Sequence, residues 1–175
     1  MSLEGQHIGR YYLVRLLGSG GMGEVYLAED VPIQRQVAIK IIRSEATLYP
    51  NASTLEELTR LFQREAKAIA TLDHPGILPL YDYGETAING VTIAYLVMPY
   101  RPEGSLTQWL HQRINAAEPP LSTRDIVHFV HQASEALQHA HDRQIIHRDV
   151  KPANYLIRNN RKNSNRPDLL LTDFG

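Results

Sequence analysis

The sequence predicts an α+β fold in two lobes, strand-rich over residues 1–100 and mainly helical over residues 101–175. Three observations carry the prediction. Short β-rich runs recur up to Met98, a proline-rich passage from Met98 to Glu103 interrupts the chain, and the pattern beyond it is helical. The helical lobe is expected to be incomplete, because about 70 residues after Gly104 make a marginal core.

The elements follow in order. Tyr11 to Leu17 and Glu24 to Glu29 are β-rich runs around a glycine-dense turn, which predicts a hairpin, and a third strand runs from Gln36 to Ile42. Leu55 to Leu72 carries apolar residues at 58, 61, 62, 66, 69 and 72, the spacing of an amphipathic helix that stops before His74-Pro75. Ile77 to Tyr83 and Thr92 to Met98 are further strand candidates. Helices are predicted around Ser105 to Arg113 and over Ser122 to Asp142. In the second, Ile126, Val130, Ala133, Leu137 and Ala140 line one face, and Ser122 with Asp125 can form a capping pair. Tyr155 to Arg158 and Asp168 to Thr172 close the chain as short strands.

Composition narrows the partners. With 18 basic and 19 acidic residues, the net charge of -1 gives no electrostatic reason to expect nucleic acid or an anionic membrane surface. The chain has no cysteine, no signal-like apolar segment in residues 1–10 and no apolar run near the ~18 residues of a membrane span, so a cytoplasmic location is expected. His128, His131, His139 and His141 lie on the long second helix, but no thiolate or carboxylate cluster completes a metal site. They are read as a solvated helix surface.

The chemistry is carried by motifs. Gly18-Ser19-Gly20-Gly21-Met22-Gly23 followed by Val25 has the G-x-G-x-x-G pattern, and bare backbone there lets N–H groups approach phosphate oxygens. A dinucleotide fold needs a helix straight after these glycines, whereas Val25-Tyr26-Leu27-Ala28 continues as a strand. Lys40 ends Val37-Ala38-Ile39-Lys40 on the third strand, and Glu65 shares a helix face with Phe62 and Ile69, where a carboxylate needs a cationic partner. In His147-Arg148-Asp149-Val150-Lys151-Pro152-Ala153-Asn154, Asp149 is a candidate base and Lys151 can balance phosphoryl charge. Asn154 and the Asp173 of Asp173-Phe174-Gly175 offer the oxygen donors that Mg²⁺ prefers. A hairpin from Tyr155 to Thr172 returns these two ligands to one place.

Together these motifs resemble the protein kinase family, and the wording GSGGMGEVYLAED, VAIK, HRDVKPAN and DFG is similar to that of bacterial serine/threonine kinases. The resemblance implies a two-lobed kinase fold with an antiparallel β lobe and a partial helical lobe ending at DFG. ATP and Mg²⁺ are the implied cofactors, and a protein with a Ser or Thr acceptor is the implied partner. It also implies a Lys40–Glu65 ion pair, Met98 as gatekeeper, and Pro99 to Arg101 as hinge, with the Pro99 carbonyl and the Arg101 N–H and carbonyl on the adenine. Leu17, Val25, Ala38, Ser105 and Leu156 complete the implied nucleotide site, with Val25, Ala38 and Leu156 around the ring. Ile69, His147 and Phe174 belong to the implied hydrophobic spine, and Arg148 implies control by phosphorylation of an activation segment. That segment and the protein-substrate part lie beyond Gly175 in the family. Residues 1–175 alone are therefore expected to bind Mg·ATP weakly and to leave the stripe of Ser122 to Asp142 without its usual cover. The alternative is an inactive nucleotide-binding or interaction module.

Overall fold

The protein is described by a computed structural model over residues 2–20, 23–42, 55–88, 91–159 and 166–174; Gly21, Met22, Gly175 and the side chains at 58 and 61 lie outside the described residues. The chain divides into two compact units, residues 1–71 with 79–100 and residues 72–78 with 101–175.

The first unit holds β1 (His7–Ile8), β2 (Tyr11–Gly20), β3 (Gly23–Asp30), β4 (Arg35–Ile42), α1 (Leu55–Ala70), β5 (Asp82–Ile88) and β6 (Val91–Pro99). The strands form one antiparallel sheet in the order β1-β2-β3-β4-β6-β5. The β2–β3 hairpin runs further into the glycine segment than predicted, with register shifts that leave Val14 and Leu17 as bulge residues. Alternation sends Leu13, Tyr26, Ala28, Val37, Ile39, Ile41 and Val97 into a core on one face. On the other face Ile42, Ala94 and Leu96 pack with Phe62 and Ala66 of α1. This stripe is what makes the Leu55 helix worth forming, since short helices are marginal without an apolar face to bury.

One predicted strand is corrected. Ile77 to Tyr83 is not a strand: β5 begins at Asp82, and Ile77 makes only an isolated parallel bridge to Leu171. Pro79 lies inside the predicted run and can donate no ladder hydrogen bond, and His74-Pro75-Gly76 closes a turn with the Ile77 N–H on the His74 carbonyl at 3.0 Å. The Leu78 N–H donates to the Leu171 carbonyl at 2.9 Å and the Leu171 N–H to the Gly76 carbonyl at 2.8 Å, which ties residues 72–78 to the second unit.

The second unit contains α2 (Leu106–Asn115), α3 (Thr123–His141) and the antiparallel hairpin of β7 (Tyr155–Arg158) and β8 (Asp168–Leu171). Both helices start in capping boxes, Ser105 with Gln108 and Ser122 with Asp125, and Arg166 also bonds Asp125. The core joins Leu72 and Ile77 to Leu106, Phe129, Ala136, Ala140, Tyr155, Ile157, Leu169 and Leu171. The predicted stripe of α3 needs correction here. Ile126 is 50% and Val130 60% exposed, and Phe129, Ala136 and Ala140 are the buried positions, with Ala133 and Leu137 partly covered. Apolar residues occupy two neighbouring stripes of α3, and the aromatic Phe129 decides between them by its edge contact with Trp109, ring centroids 5.7 Å apart.

Candidate active site

In the first unit the sheet register places the predicted nucleotide-binding residues on one face. Val25 pairs with Lys40, Leu27 with Ala38, and Ala38 with Met98, so Val25, Ala38, Lys40 and Met98 share the α1 side of the sheet. Lys40 is only 8% exposed, which is unusual for an ammonium and requires anionic company. Glu65 on α1 is exposed, beside the buried Ala66 and at the rim of the stripe formed by Phe62, Ala66 and half-buried Ile69. The expectation of a carboxylate embedded among apolar neighbours is corrected accordingly: α1 buries Phe62 and Ala66 and turns position 65 outward.

The glycines of the hairpin divide by cause. Gly23 has φ +123°, and a Cβ there would lie 2.1 Å from the Ile41 carbonyl oxygen, so the sheet itself demands glycine. At Gly18 and Gly20 no described atom lies within 4 Å of an added Cβ. Nothing described in the fold requires those two to be bare. Leu17, Ser19 and Gly20 are exposed along the end of β2.

At the predicted hinge Met98 is half-buried and Pro99 is buried opposite Val37, while the Arg101 carbonyl accepts the Gly104 N–H at 3.3 Å. Ser105 serves α2 as its cap: its hydroxyl accepts the Gln108 N–H at 3.3 Å and its own N–H donates to Gln108 Oε1 at 2.8 Å. Leu156 is half-buried on β7 and bridges to Ser105.

The second unit brings the catalytic-loop residues into one hydrogen-bonded network. Asn154, buried at the end of the turn Pro152–Asn154, donates through Nδ2 to the Asp149 carbonyl at 2.8 Å and to Asp149 Oδ2 at 3.0 Å. Lys151 Nζ reaches the same Oδ2 at 2.6 Å. The Asp149 carboxyl is held below its ordinary range, first by the hydrogen bond from Lys151 and then by that from Asn154. It is a half-buried carboxylate, ionised and oriented at neutral pH.

Buried His147 anchors the loop from beneath. Its Nε2 donates to the Thr172 carbonyl at 2.8 Å, and its Nδ1 accepts the Asp149 N–H at 3.3 Å, which assigns the proton to Nε2. The Thr172 N–H donates to the Asn154 carbonyl at 2.9 Å, so Asp173 follows directly from a residue bonded to both His147 and Asn154. Phe174 packs on the His147 ring, centroids 4.7 Å apart. Arg148 and Asp173 have φ of +65° and +59°, left-handed conformations that such residues hold only where surrounding bonds compel them. Thr172 was not singled out by the motif pattern; its position before the Asp-Phe-Gly triplet is the signal.

The Asn154 amide commits both N–H protons to Asp149, leaving Oδ1 as its acceptor. With the Asp173 carboxylate this is a hard-oxygen donor pair, and it fits Mg²⁺. The histidines of α3 divide. His131 is exposed and pairs with Glu135 at 3.1 Å, whereas His139 packs its ring on His74, centroids 5.0 Å apart. That corrects the reading of all four as solvated.

Comparison with known proteins agrees with this geometry. The protein kinase domain profile matches residues 11–175. The chain is 40% identical over 167 residues to the serine/threonine-protein kinase PrkC of Bacillus subtilis, covering 95% of this chain and 22% of PrkC. It is 39% identical over 168 residues to PknA of Mycobacterium tuberculosis, covering 95% of this chain and 35% of PknA. Crystal structures of the Mycobacterium tuberculosis PknI kinase domain superpose with a TM-score of 0.72 at 33% identity, over 99% of this chain and 63% of theirs. The chain thus spans well under half of those two relatives and less than two thirds of the solved domain. Motif order, a two-unit α+β fold and the loop network converge with these likenesses: the chain belongs to the protein kinase family, on its bacterial serine/threonine branch.

Proposed function

We propose that this chain carries the nucleotide-binding and phosphoryl-transfer groups of an ATP-dependent kinase that acts on protein serine or threonine hydroxyls. The observation that carries the reading is the Asp149 network: an ionised carboxylate fixed by Asn154 and Lys151, on a loop fastened by His147. Hydroxyl attack on the γ-phosphoryl forms the new O–P bond and breaks the β–γ bridge, releasing ADP. Asp149 orients the acceptor hydroxyl and takes its proton. Lys151 balances charge on the phosphoryl oxygens, at the cost of loosening its own bond to Asp149. Mg²⁺ supplies charge neutralisation at the phosphates when bound, and Asn154 and Asp173 are the residues that would hold it.

In the first unit, Lys40 contacts the α- and β-phosphates, with Glu65 as the carboxylate that orients it. The backbone of Gly18, Ser19, Gly20, Gly21, Met22 and Gly23 covers the phosphates; the open space at Gly18 and Gly20 supports this, because only a ligand would need them bare. Leu17, Val25, Ala38, Met98, Ser105 and Leu156 are assigned to the adenine and ribose, with the Pro99 carbonyl and the Arg101 backbone as polar contacts. The reaction is placed in the cytoplasm, where ATP is available; among the described residues no helix is long and apolar enough to cross a membrane.

The test is phosphoamino-acid analysis of a generic acceptor protein. A chain that carries these residues and continues through the family's substrate-binding part is incubated with γ-labelled ATP and Mg²⁺. Label in phosphoserine or phosphothreonine is expected; label in phosphotyrosine alone, or transfer indifferent to Mg²⁺, would overturn the reading.

A further inference from the structure

The segment Leu72–Leu78 belongs to the second unit although the chain joins it to α1 on one side and to β5 on the other. Its attachment rests on Leu72 and Ile77 in the core, on the two hydrogen bonds to Leu171, and on a pair of histidines. His74 and His139 face each other with ring centroids 5.0 Å apart and planes tilted by 40°. Packing at the contact is tight: a Cβ on Gly76 would lie 3.2 Å from the His74 ring and 3.5 Å from the Ala136 methyl.

Hydrogen bonding requires both rings to be neutral. His74 Nδ1 accepts the Gly76 N–H at 3.0 Å, a bond that closes the turn and that a protonated ring has no lone pair to accept. His139 Nδ1 faces Arg143 Nη1 at 3.4 Å, and an arginine can only donate. The Nε2 of His139 is buried without a described hydrogen-bond partner. A proton added to His139 therefore gains no acceptor and meets a guanidinium.

The other charges around the pair offset this only in part. Arg143 and Asp142 stand at the C-terminal end of α3, Asp73 precedes His74 in its own segment, and Glu135 of α3 with Arg158 and Asp168 of the β7–β8 hairpin line a small cavity beside His74. Arg158 and Asp168 neutralise one another at 3.0 Å, and Glu135 is engaged by His131.

We propose that His74 and His139 form an acid-sensitive latch: as neutral rings they fasten Leu72–Leu78 to the second unit, and protonation loosens the segment. Burial, then Arg143, then His74 push His139 below its ordinary value of 6.5. The unfolded or opened chain accordingly binds the proton more readily, so the attachment is strongest above that value and weakens as pH falls below it. In a family where this segment follows the helix of the Lys40 partner, the latch couples acidity to the C-terminal attachment of α1.

Amide hydrogen exchange on the chain tests the latch. Protection of the Leu78 and Leu171 amides, corrected for intrinsic rates, should fall about tenfold for each pH unit below the ordinary histidine value, while α2 amides hold theirs. In His139→Gln that pH dependence should disappear. Parallel loss in α2, or an unchanged pH dependence in His139→Gln, overturns the proposal. Should the variant fail to fold, NMR titration of the His139 ring in the unsubstituted chain decides: a midpoint below 6.5 supports the latch, and one at or above it sinks it.

Discussion

In the first unit the candidate site rides on strands, and in the second it hangs on a loop. Val25, Ala38, Lys40 and Met98 take their positions from ladder register, which a neighbouring core enforces by burying Ile39, Ile41 and Val97 on the opposite face. Asp149, Lys151, Asn154 and Asp173 have no such ladder; side-chain bonds from His147 and Asn154 to main chain hold them, with Arg148 and Asp173 in left-handed conformations. A sheet-borne group can be replaced while its backbone stays put. A loop-borne group is part of what holds the loop, so structure and function are harder to separate there.

Lys40→Met should break the comparison most sharply if it is wrong. Phosphoryl transfer is expected to fall by about 10²–10³-fold, as for loss of a charge-stabilising donor, while urea denaturation shows unchanged or higher stability because a buried ammonium is replaced by an apolar chain of similar size. A variant destabilised by several kcal/mol would show that Lys40 holds the sheet. Next in size is Gly23→Ala, expected to cost about 3 kcal/mol through the clash with Ile41 and the disallowed φ, whereas Gly20→Ala should leave the unfolding midpoint unchanged and weaken ATP binding. Equal destabilisation by both would remove the distinction between a glycine the fold needs and one the ligand needs.

For the loop, Asn154→Ala should cost about 2 kcal/mol, since it leaves a buried carbonyl and a carboxylate oxygen short of a donor; a denaturation midpoint within error of the parent would contradict the network. The smallest effect concerns pH. The depressed Asp149 value means that its contribution to stability is complete above the ordinary carboxylate value of 3.8 and is lost as pH falls through the lowered folded value. Lys151→Met should move the Asp149 midpoint, followed by carboxyl carbon NMR, back up toward 3.8. No movement would assign the depression to Asn154 alone.

Legibility followed the same division. The hairpin, the Lys40 strand and the loop from His147 to Asn154 could be read because phosphate chemistry demands particular side chains at fixed spacing, and because alternation marks strands with one core face. The Ser122–Asp125 cap was readable for the same local reason. What escaped depends on partners distant in sequence. Residues 77–81 read as a strand until Pro79 and the bridge to Leu171 are seen together. On α3 two apolar stripes compete, and Trp109 against Phe129 settles which is buried. Glu65 lies one residue from the buried stripe, a difference of about 100° around a helix that spacing alone does not resolve. His139 looked like surface until His74 was placed beside it.

The central claim is that Asp149 handles the acceptor proton while the loop around it stays intact. Its most direct test is the single-turnover rate of Asp149→Asn at saturating Mg·ATP, in a chain that includes the substrate-binding part of the family's domain. Asparagine keeps an oxygen for Asn154 Nδ2 and removes the base, so the account predicts a rate lower by about 10²–10⁴-fold with ATP affinity unchanged. A rate near that of the parent chain would contradict it.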